Sequence, residues 1–359
     1  MIHVVIGTKA QLVKMASVLS AMQVRKVPYN FIFTGQHHET MDALRENFKL
    51  PPPNVTLHSG KDITSIPSML VWLIKILWQT LFNRKEIFGN DKHGAVLVHG
   101  DTFSTLLGAL MGKLAGLKVG HVESGMRSFN YFHPFPEEIT RVLTFYLTDI
   151  FYCPGPIAFQ NIQKFKGVKL DTEFNTLIDS LDAARANFDT MEVDIPGRKY
   201  CVVTTHRFEN IFNKTVLEQN LQFIRMAADK MLTIFIMHPI TEQRLRKHGL
   251  LDALKSHPNI ECRPRYDYFR FMKLVYFSEF LISDGGSNQE ECWFMGKPCL
   301  LLRKVTEHPE GLDTNVVVSR YSPDIVRQFI DNYEKHISEP LLGVNSPSVK
   351  IVDSLAKYY

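Results

Sequence analysis

Short apolar runs ending in polar or glycine-bearing loops recur along the chain, and stretches with helical spacing of apolar residues separate them. His3–Ile6 is such a run, closed by Gly7-Thr8-Lys9 and followed by a helical pattern from about Gln11 to Val24. Phe31–Phe33 is another, ending in Thr34-Gly35-Gln36-His37-His38. Ala95–Val98, a helix from about Thr105 to Ala115, and Leu117–His121 then form a strand–helix–strand unit, and Ile150–Cys153 continues the series. Apolar runs this short, without alternation, predict buried strands of a parallel sheet with crossover helices. A second series comprises Tyr200–Thr204, Leu232–Met237, Ile260–Cys262, Phe280–Ser283 and Cys299–Leu302.

Between about Lys164 and Gly197 the periodicity weakens, which places a domain junction near Asp171. The expected fold is α/β, with two Rossmann-like domains of doubly wound parallel sheet facing across a cleft. The first would cover residues 1–170 and the second 171–345. A last helix, from about Ser348 to Tyr359, carries Val349, Ile351, Val352, Leu355 and Tyr358 and must dock somewhere.

A length of 359 residues is enough for two cores. With 45% hydrophobic and 22% charged residues the chain falls in the globular range. The net charge of +4 is too small and dispersed to point to nucleic acid, but it suits an anionic ligand. Cys153, Cys201, Cys262, Cys292 and Cys299 have no metal-type spacing and lie in or beside apolar runs, so reduced thiols of a cytosolic protein are expected. The start of the chain goes directly into a strand, without a signal peptide's pattern. Met69–Phe82 is strongly apolar but too short to span a bilayer, and Lys75 and Gln79 interrupt it. It reads as a core or subunit-interface helix, with a peripheral membrane contact as the alternative.

Ligands of open α/β sheets bind outside the carboxyl ends of the strands. Asp101 and Glu123 follow two such strands, and Glu137 lies on a Pro-flanked segment with Arg141 four residues on. Three acids and a base in one crevice suit proton transfer. Gly7-Thr8-Lys9 before a helix makes a natural anion site, to which Lys9 and Lys14 would add charge. In the second half, His206 stands in a loop after a strand, and Asp284-Gly285-Gly286-Ser287 leads a helix whose free amides suit a pyrophosphate. Arg303 belongs to a charged loop after another strand, and Phe271 is either core or a platform for a nucleobase. Acids in one domain and phosphate-holding features in the other suggest a nucleotide-linked substrate.

Taken in order, the runs HGDT (99–102), GHVESGMR (120–127), PEEITR (136–141), THR (205–207), DGGSNQEE (284–291) and TEHPEG (306–311) resemble the motifs of bacterial UDP-N-acetylglucosamine 2-epimerases of the non-hydrolysing type. The resemblance covers essentially the whole chain. It implies a GT-B-like fold, with the C-terminal helix 346–359 crossing back to the first domain. It also implies removal of the C2 proton, departure of UDP to leave a 2-acetamidoglucal, and re-addition with the proton delivered to the opposite face. The acid–base roles would fall among Asp101, Glu123 and Glu137, with clustered carboxylates raising one another's pKa. Lys14, Arg141 and His206 would offset charge on the departing diphosphate. Gly286 and Ser287 would hold phosphate, Glu291 the ribose and Phe271 the uracil, with Arg303 counted among the substrate-binding residues. No metal or cofactor is required, and a cytoplasmic homodimer feeding surface polysaccharide synthesis is implied.

The chain departs from that pattern in places. The family's GTRPE becomes Gly7-Thr8-Lys9-Ala10-Gln11, so Lys9 replaces an arginine that touches the diphosphate, and a carboxylate is lost at Gln11. The usual SGG becomes Gly285-Gly286-Ser287, ERPE becomes Glu307-His308-Pro309-Glu310, and GNT becomes Phe174-Asn175-Thr176. Gln36 and His37 of a regulatory loop remain, but Gly60-Lys61 stands near the place of its arginine, so activation by a second substrate molecule is not expected. A modified 2-acetamido sugar such as a diacetamido uronate stays open as substrate. The rival readings are a hydrolysing 2-epimerase, a GT-B glycosyltransferase and a non-catalytic binding protein.

Overall fold

The computed structural model describes every residue except 38–40, 61, 64, 65, 133, 134 and 359, and only the backbone of Ile66. His38 and Lys61, named in the loops above, therefore lie outside the described residues. The chain divides into two compact units, Met1–Ser180 with Asn345–Tyr359, and Leu181–Val344.

The first unit holds a parallel sheet of seven strands. These are β1 (Ile2–Ile6), β2 (Tyr29–Phe33), β3 (Val55–Thr56), β4 (Ala95–His99), β5 (Lys118–Val122), β6 (Ile150–Cys153) and β7 (Val168–Asp171), in the order β3-β2-β1-β4-β5-β6-β7. β1 and β4 are buried along their whole length, which is why they read as unbroken apolar runs. The order reverses between β1 and β4, so the crevice at their carboxyl ends is the topological switch point.

The second unit holds six parallel strands: β8 (Tyr200–Thr204), β9 (Leu232–Met237), β10 (Ile260–Pro264), β11 (Leu281–Ser283), β12 (Cys299–Leu301) and β13 (Val316–Val318). Their order is β10-β9-β8-β11-β12-β13, with the switch between β8 and β11. Both units are thus α/β with Rossmann-like parallel sheets.

The boundary between the units falls after Ser180, within the helix Leu177–Arg185, and not near Asp171. Two contacts explain the shift. β7 pairs in parallel with β6, and the Ser180 hydroxyl donates to the Val13 carbonyl at 2.6 Å. β7 escaped detection because it is a partly exposed edge strand without an apolar run.

The last helix, Pro347–Ser354, is shorter than expected and gives way to a 3-10 turn, Ala356–Tyr358. It packs on the helix Lys9–Val24, with Ile351, Val352 and Leu355 buried. Arg25 pairs with Asp353 at 2.9 Å, and the Tyr152 and Ser354 hydroxyls share a hydrogen bond of 2.8 Å.

The helix Ile66–Phe82 is neither wholly core nor wholly surface. Trp72 and Ile76 lie in the core, whereas Leu70, Val71, Ile74, Trp78, Leu81 and Phe82 are all more than half exposed. Among the described residues no helix is long and apolar enough to cross a membrane. All five cysteines are free, four of them buried and Cys262 partly so. Burial pushes the Cys153 and Cys201 thiols up to about 12, so neither is a thiolate at neutral pH.

Candidate active site

In the first unit, the loops leaving β4 and β5 and the start of the helix Glu137–Leu147 bring acids and bases together. Glu123 follows β5 directly and takes a φ of 59°, a left-handed conformation that costs a non-glycine residue about 1 kcal/mol or more. Its carboxylate lies 2.5 Å from Lys14 Nζ and 3.5 Å from His99 Nε2. Burial opposes its charge, but Lys14 and then His99 outweigh that and hold the carboxyl well below the ordinary range. The expected mutual raising of clustered carboxylates therefore does not describe Glu123, because cations are its nearest charged neighbours.

Asp101 stands at the end of β4 and meets Arg141 Nη2 at 2.6 Å. The other edge of Arg141 reaches Glu138 Oε2 at 3.3 Å. Arg141 thus pairs with Asp101 and Glu138, not with the Glu137 that its spacing in the sequence suggested. The Thr140 hydroxyl donates to the carbonyl of Asp101 and lies 2.9 Å from that of Glu137, tying the helix start to the β4 loop. One carboxylate oxygen of Glu137 is buried with no hydrogen-bond partner among the described residues. Below this layer His121 Nε2 lies 2.7 Å from the Gly100 carbonyl. Burial lowers its pKa to about 4, so it is a neutral prop that donates to that carbonyl.

The first loop behaves differently from its reading as an open anion site. Gln11 Oε1 accepts from the amides of Gly7 and Thr8 at 2.9 and 3.2 Å, completing a capping box with Thr8. Its amide nitrogen donates to the His99 carbonyl and to Thr105 Oγ1, each at 2.9 Å. Two amides that would have faced an anion are therefore engaged. A carboxylate at position 11 could not make the two donations, which accounts for glutamine in this setting. Lys9 is the first residue of the helix and half-buried.

In the second unit His206 and the run Asp284–Ser287 follow β8 and β11, the two strands of the switch point. Asp284, which sequence reasoning quoted but did not assign, is fully buried and organises two loops. It accepts from the amides of His206 at 3.0 Å and Arg207 at 3.0 Å, and from Asn210 Nδ2 at 2.9 Å. Its other oxygen lies 3.4 Å from His206 Nδ1. The helix Gly286–Met295 starts at Gly285 without a side-chain cap, which leaves an open N-terminus of the kind that binds anions. Ser287 lies in its first turn. Ser283, Asn288 and Glu291 form a chain of hydrogen bonds of 2.8 and 2.7 Å, which turns Glu291 inward to 3% exposure. Phe271 is half-buried on the helix Tyr268–Tyr276, whose Tyr268 and Phe269 enter the core.

Arg303 is buried and bonds Glu307 at 2.9 Å, while its Nη1 has no partner among the described residues. Burial would raise the Glu307 pKa, but Arg303 and then His308 bring it down to about 2. His308, also missed, has Nδ1 at 3.1 Å from Glu290 and 3.6 Å from Glu310. Burial works against its charge, yet the hydrogen bonds and charges of Glu290 and Glu310 raise its pKa to about 10. Glu290, His308 and Glu310 are the set of donors among the described residues close enough to hold a metal ion. An imidazolium between two carboxylates already offsets part of their charge there.

Two parallel-sheet units, with paired acids and cations at one switch point and an open, glycine-led helix start at the other, define a two-domain α/β enzyme. The family profile described as UDP-N-acetylglucosamine 2-epimerase matches residues 20–356. The UDP-N-acetylglucosamine 2-epimerase of Methanococcus maripaludis is 32% identical, covering 97% of this chain and 96% of the relative. That of Methanocaldococcus jannaschii is 30% identical, covering 91% and 90%. The solved Neisseria meningitidis UDP-GlcNAc 2-epimerase, bound to UDP-GlcNAc, is 26% identical with a TM-score of 0.80 and 99% of each chain covered. This chain belongs to the UDP-N-acetylglucosamine 2-epimerase family, a family of isomerases.

Proposed function

We propose that the chain interconverts UDP-N-acetylglucosamine and UDP-N-acetylmannosamine by elimination and re-addition of UDP through 2-acetamidoglucal. The observation that carries this is Glu123 and Asp101 in the loops after β5 and β4, each paired with a cation, with Glu137 at the start of the helix whose Thr140 bonds the Asp101 carbonyl. C2 is a poor carbon acid, so a positioned base is needed on one face and an acid on the other. Glu123 is ionised at neutral pH, as a base must be. Lys14 now neutralises it, and the same lysine suits the diphosphate. A substrate phosphate that draws Lys14 away would make Glu123 more basic when the proton is to be taken. Glu137, with a buried oxygen lacking a partner, and Asp101, held by Arg141, are the candidates for the other face. His206, Lys9, Arg303 and the amides of Gly286 and Ser287 would receive the diphosphate, Glu291 the ribose and Phe271 the uracil.

The test is proton NMR of UDP-N-acetylglucosamine with the enzyme in D2O. Deuterium at C2 with UDP-N-acetylmannosamine signals supports the reading, whereas free N-acetylmannosamine supports the hydrolysing rival. No exchange with this substrate or its diacetamido and uronate analogues sinks it.

Gly286→Ala tests the nucleotide half. A Cβ there would lie 2.7 Å from His308 Nε2, and two carboxylates hold that ring in place. The added methyl must displace either that ring or the helix start, so the amides lose their registration on the phosphate and UDP should bind about tenfold more weakly by calorimetry. Unchanged affinity would remove Gly286 from the phosphate site.

The same reading includes a cytoplasmic homodimer, with the outer face of Ile66–Phe82 as its contact. Trp78 and Phe82 lie on that face with ring centroids 4.5 Å apart and planes tilted by 39°, in a patch of the kind that marks interaction surfaces. Trp78→Glu with Ile74→Glu should turn a dimer into a monomer in light scattering. A wild-type monomer would end this part of the proposal.

A further inference from the structure

A saturated carboxylate in the first unit belongs to a residue that touches none of the reacting groups assigned above. Glu138 is fully buried at the start of the helix Glu137–Leu147, where the helix dipole favours an acid. Its Oε1 accepts from Arg127 Nε at 2.5 Å and the Phe129 amide at 3.2 Å. Its Oε2 accepts from the Ser128 amide at 3.0 Å and Arg141 Nη1 at 3.3 Å. Four donors saturate the carboxylate, two from guanidinium groups that are themselves largely buried.

We infer that Glu138 is the positioning residue that sets Arg141 on Asp101 and locks the chain just after Glu123. The inference rests on the reading of Asp101 and Glu123 as proton-transfer groups. Arg141 is a fork with one tine on each carboxylate. Glu138 is buried and bound on all sides, whereas Asp101 is partly exposed and held through its side chain by Arg141 alone among the ion pairs described. The fixed end of the fork is therefore at Glu138. The same carboxylate gathers residues 127–129, four to six positions beyond Glu123, and so restrains the loop that carries Glu123 in its strained conformation.

A neutral amide of the same shape would keep part of the hydrogen bonding but lose the charge that anchors both guanidinium groups. Arg127 would then be a buried cation without its counter-ion, which threatens the fold as well as the site. Arg127→Met combined with Glu138→Gln removes that hazard while still freeing Arg141.

The experiment follows deuterium entry at C2 of UDP-N-acetylglucosamine in D2O for wild type, Glu138→Gln, Glu138→Asp and the Arg127→Met/Glu138→Gln pair. Circular dichroism melting accompanies each. Glu138→Gln should lower kcat by about 30-fold with KM within about threefold, as expected when aligned groups lose their registration. Glu138→Asp should recover at least a third of the wild-type rate. The paired variant should melt near the wild-type temperature and remain as slow as Glu138→Gln. Full activity in the paired variant, or a loss carried by KM, overturns the inference and leaves Glu138 a fold-stabilising residue. Absence of exchange in the wild-type enzyme with this substrate and with its diacetamido and uronate analogues overturns the epimerase reading and this role with it.

Discussion

Glu123→Gln is expected to reduce deuterium incorporation at C2 by about a thousandfold, within the range that a positioned acid or base contributes. The substitution keeps the size and leaves an acceptor for Lys14, so its effect isolates the charge and basicity of the group. UDP affinity should hold within about threefold, because Glu123 is assigned to the proton at C2 and not to the nucleotide. The fold should also persist. Glutamine inherits the left-handed conformation at no greater cost than glutamate, and the buried Lys14 loses a strong counter-ion but keeps a polar neighbour. An exchange rate within tenfold of wild type would remove Glu123 from the proton path. The role would then pass to Asp101 or Glu137, and the same substitution at each would decide between them.

Lys14→Met should have the next largest effect, and its signature lies in the pH dependence. In the native enzyme Lys14 is the largest of the favourable influences that keep the Glu123 carboxyl below its ordinary range. A group with a depressed folded-state pKa contributes stability above its unfolded value. That contribution is lost only as the pH falls through the folded value. Glu123 therefore stays ionised through the whole mildly acidic range. Without Lys14, burial is opposed by His99 more than by any other group, and the pKa moves up. The acid limb of the rate profile should move up with it, while exchange near neutral pH falls about a hundredfold through the lost contact with the diphosphate. Measuring C2 exchange from pH 9 down to the lowest pH at which each protein stays folded checks both. A limb that does not move would mean that Lys14 acts on the leaving group alone.

Much of the fold was legible because parallel strands are buried on both faces. Tyr200–Thr204, Leu232–Met237 and Ile150–Cys153 were bounded correctly from their apolar content alone. Where that burial fails, the signal fails. β3 has two residues, β7 is half-exposed at an edge, and β13 is a three-residue strand, and none of them was anticipated. The candidate site was legible where a strand ends in a polar loop, since those loops must gather at one edge of a parallel sheet. Asp101, Glu123, His206 and the glycines after β11 were found in this way. The residues that hold them were not. Asp284, His308 and Glu138 do their work through partners distant in sequence, which no local pattern announces.

Gln11 shows the same division. In the sequence it is a lost carboxylate, while in the structure it is an amide that accepts from two main-chain amides and donates to His99 and Thr105. Sequence determined the α/β class, the parallel strands and the loops that bear the chemistry, because burial and chain direction are written in local periodicity. Only tertiary structure decided which charges meet. It gave Arg141 to Asp101 and Glu138, placed Lys14 on Glu123, and set His308 between two carboxylates. Electrostatic partners are chosen by distance across the fold, and that distance exists only once the sheet has brought its strand ends together.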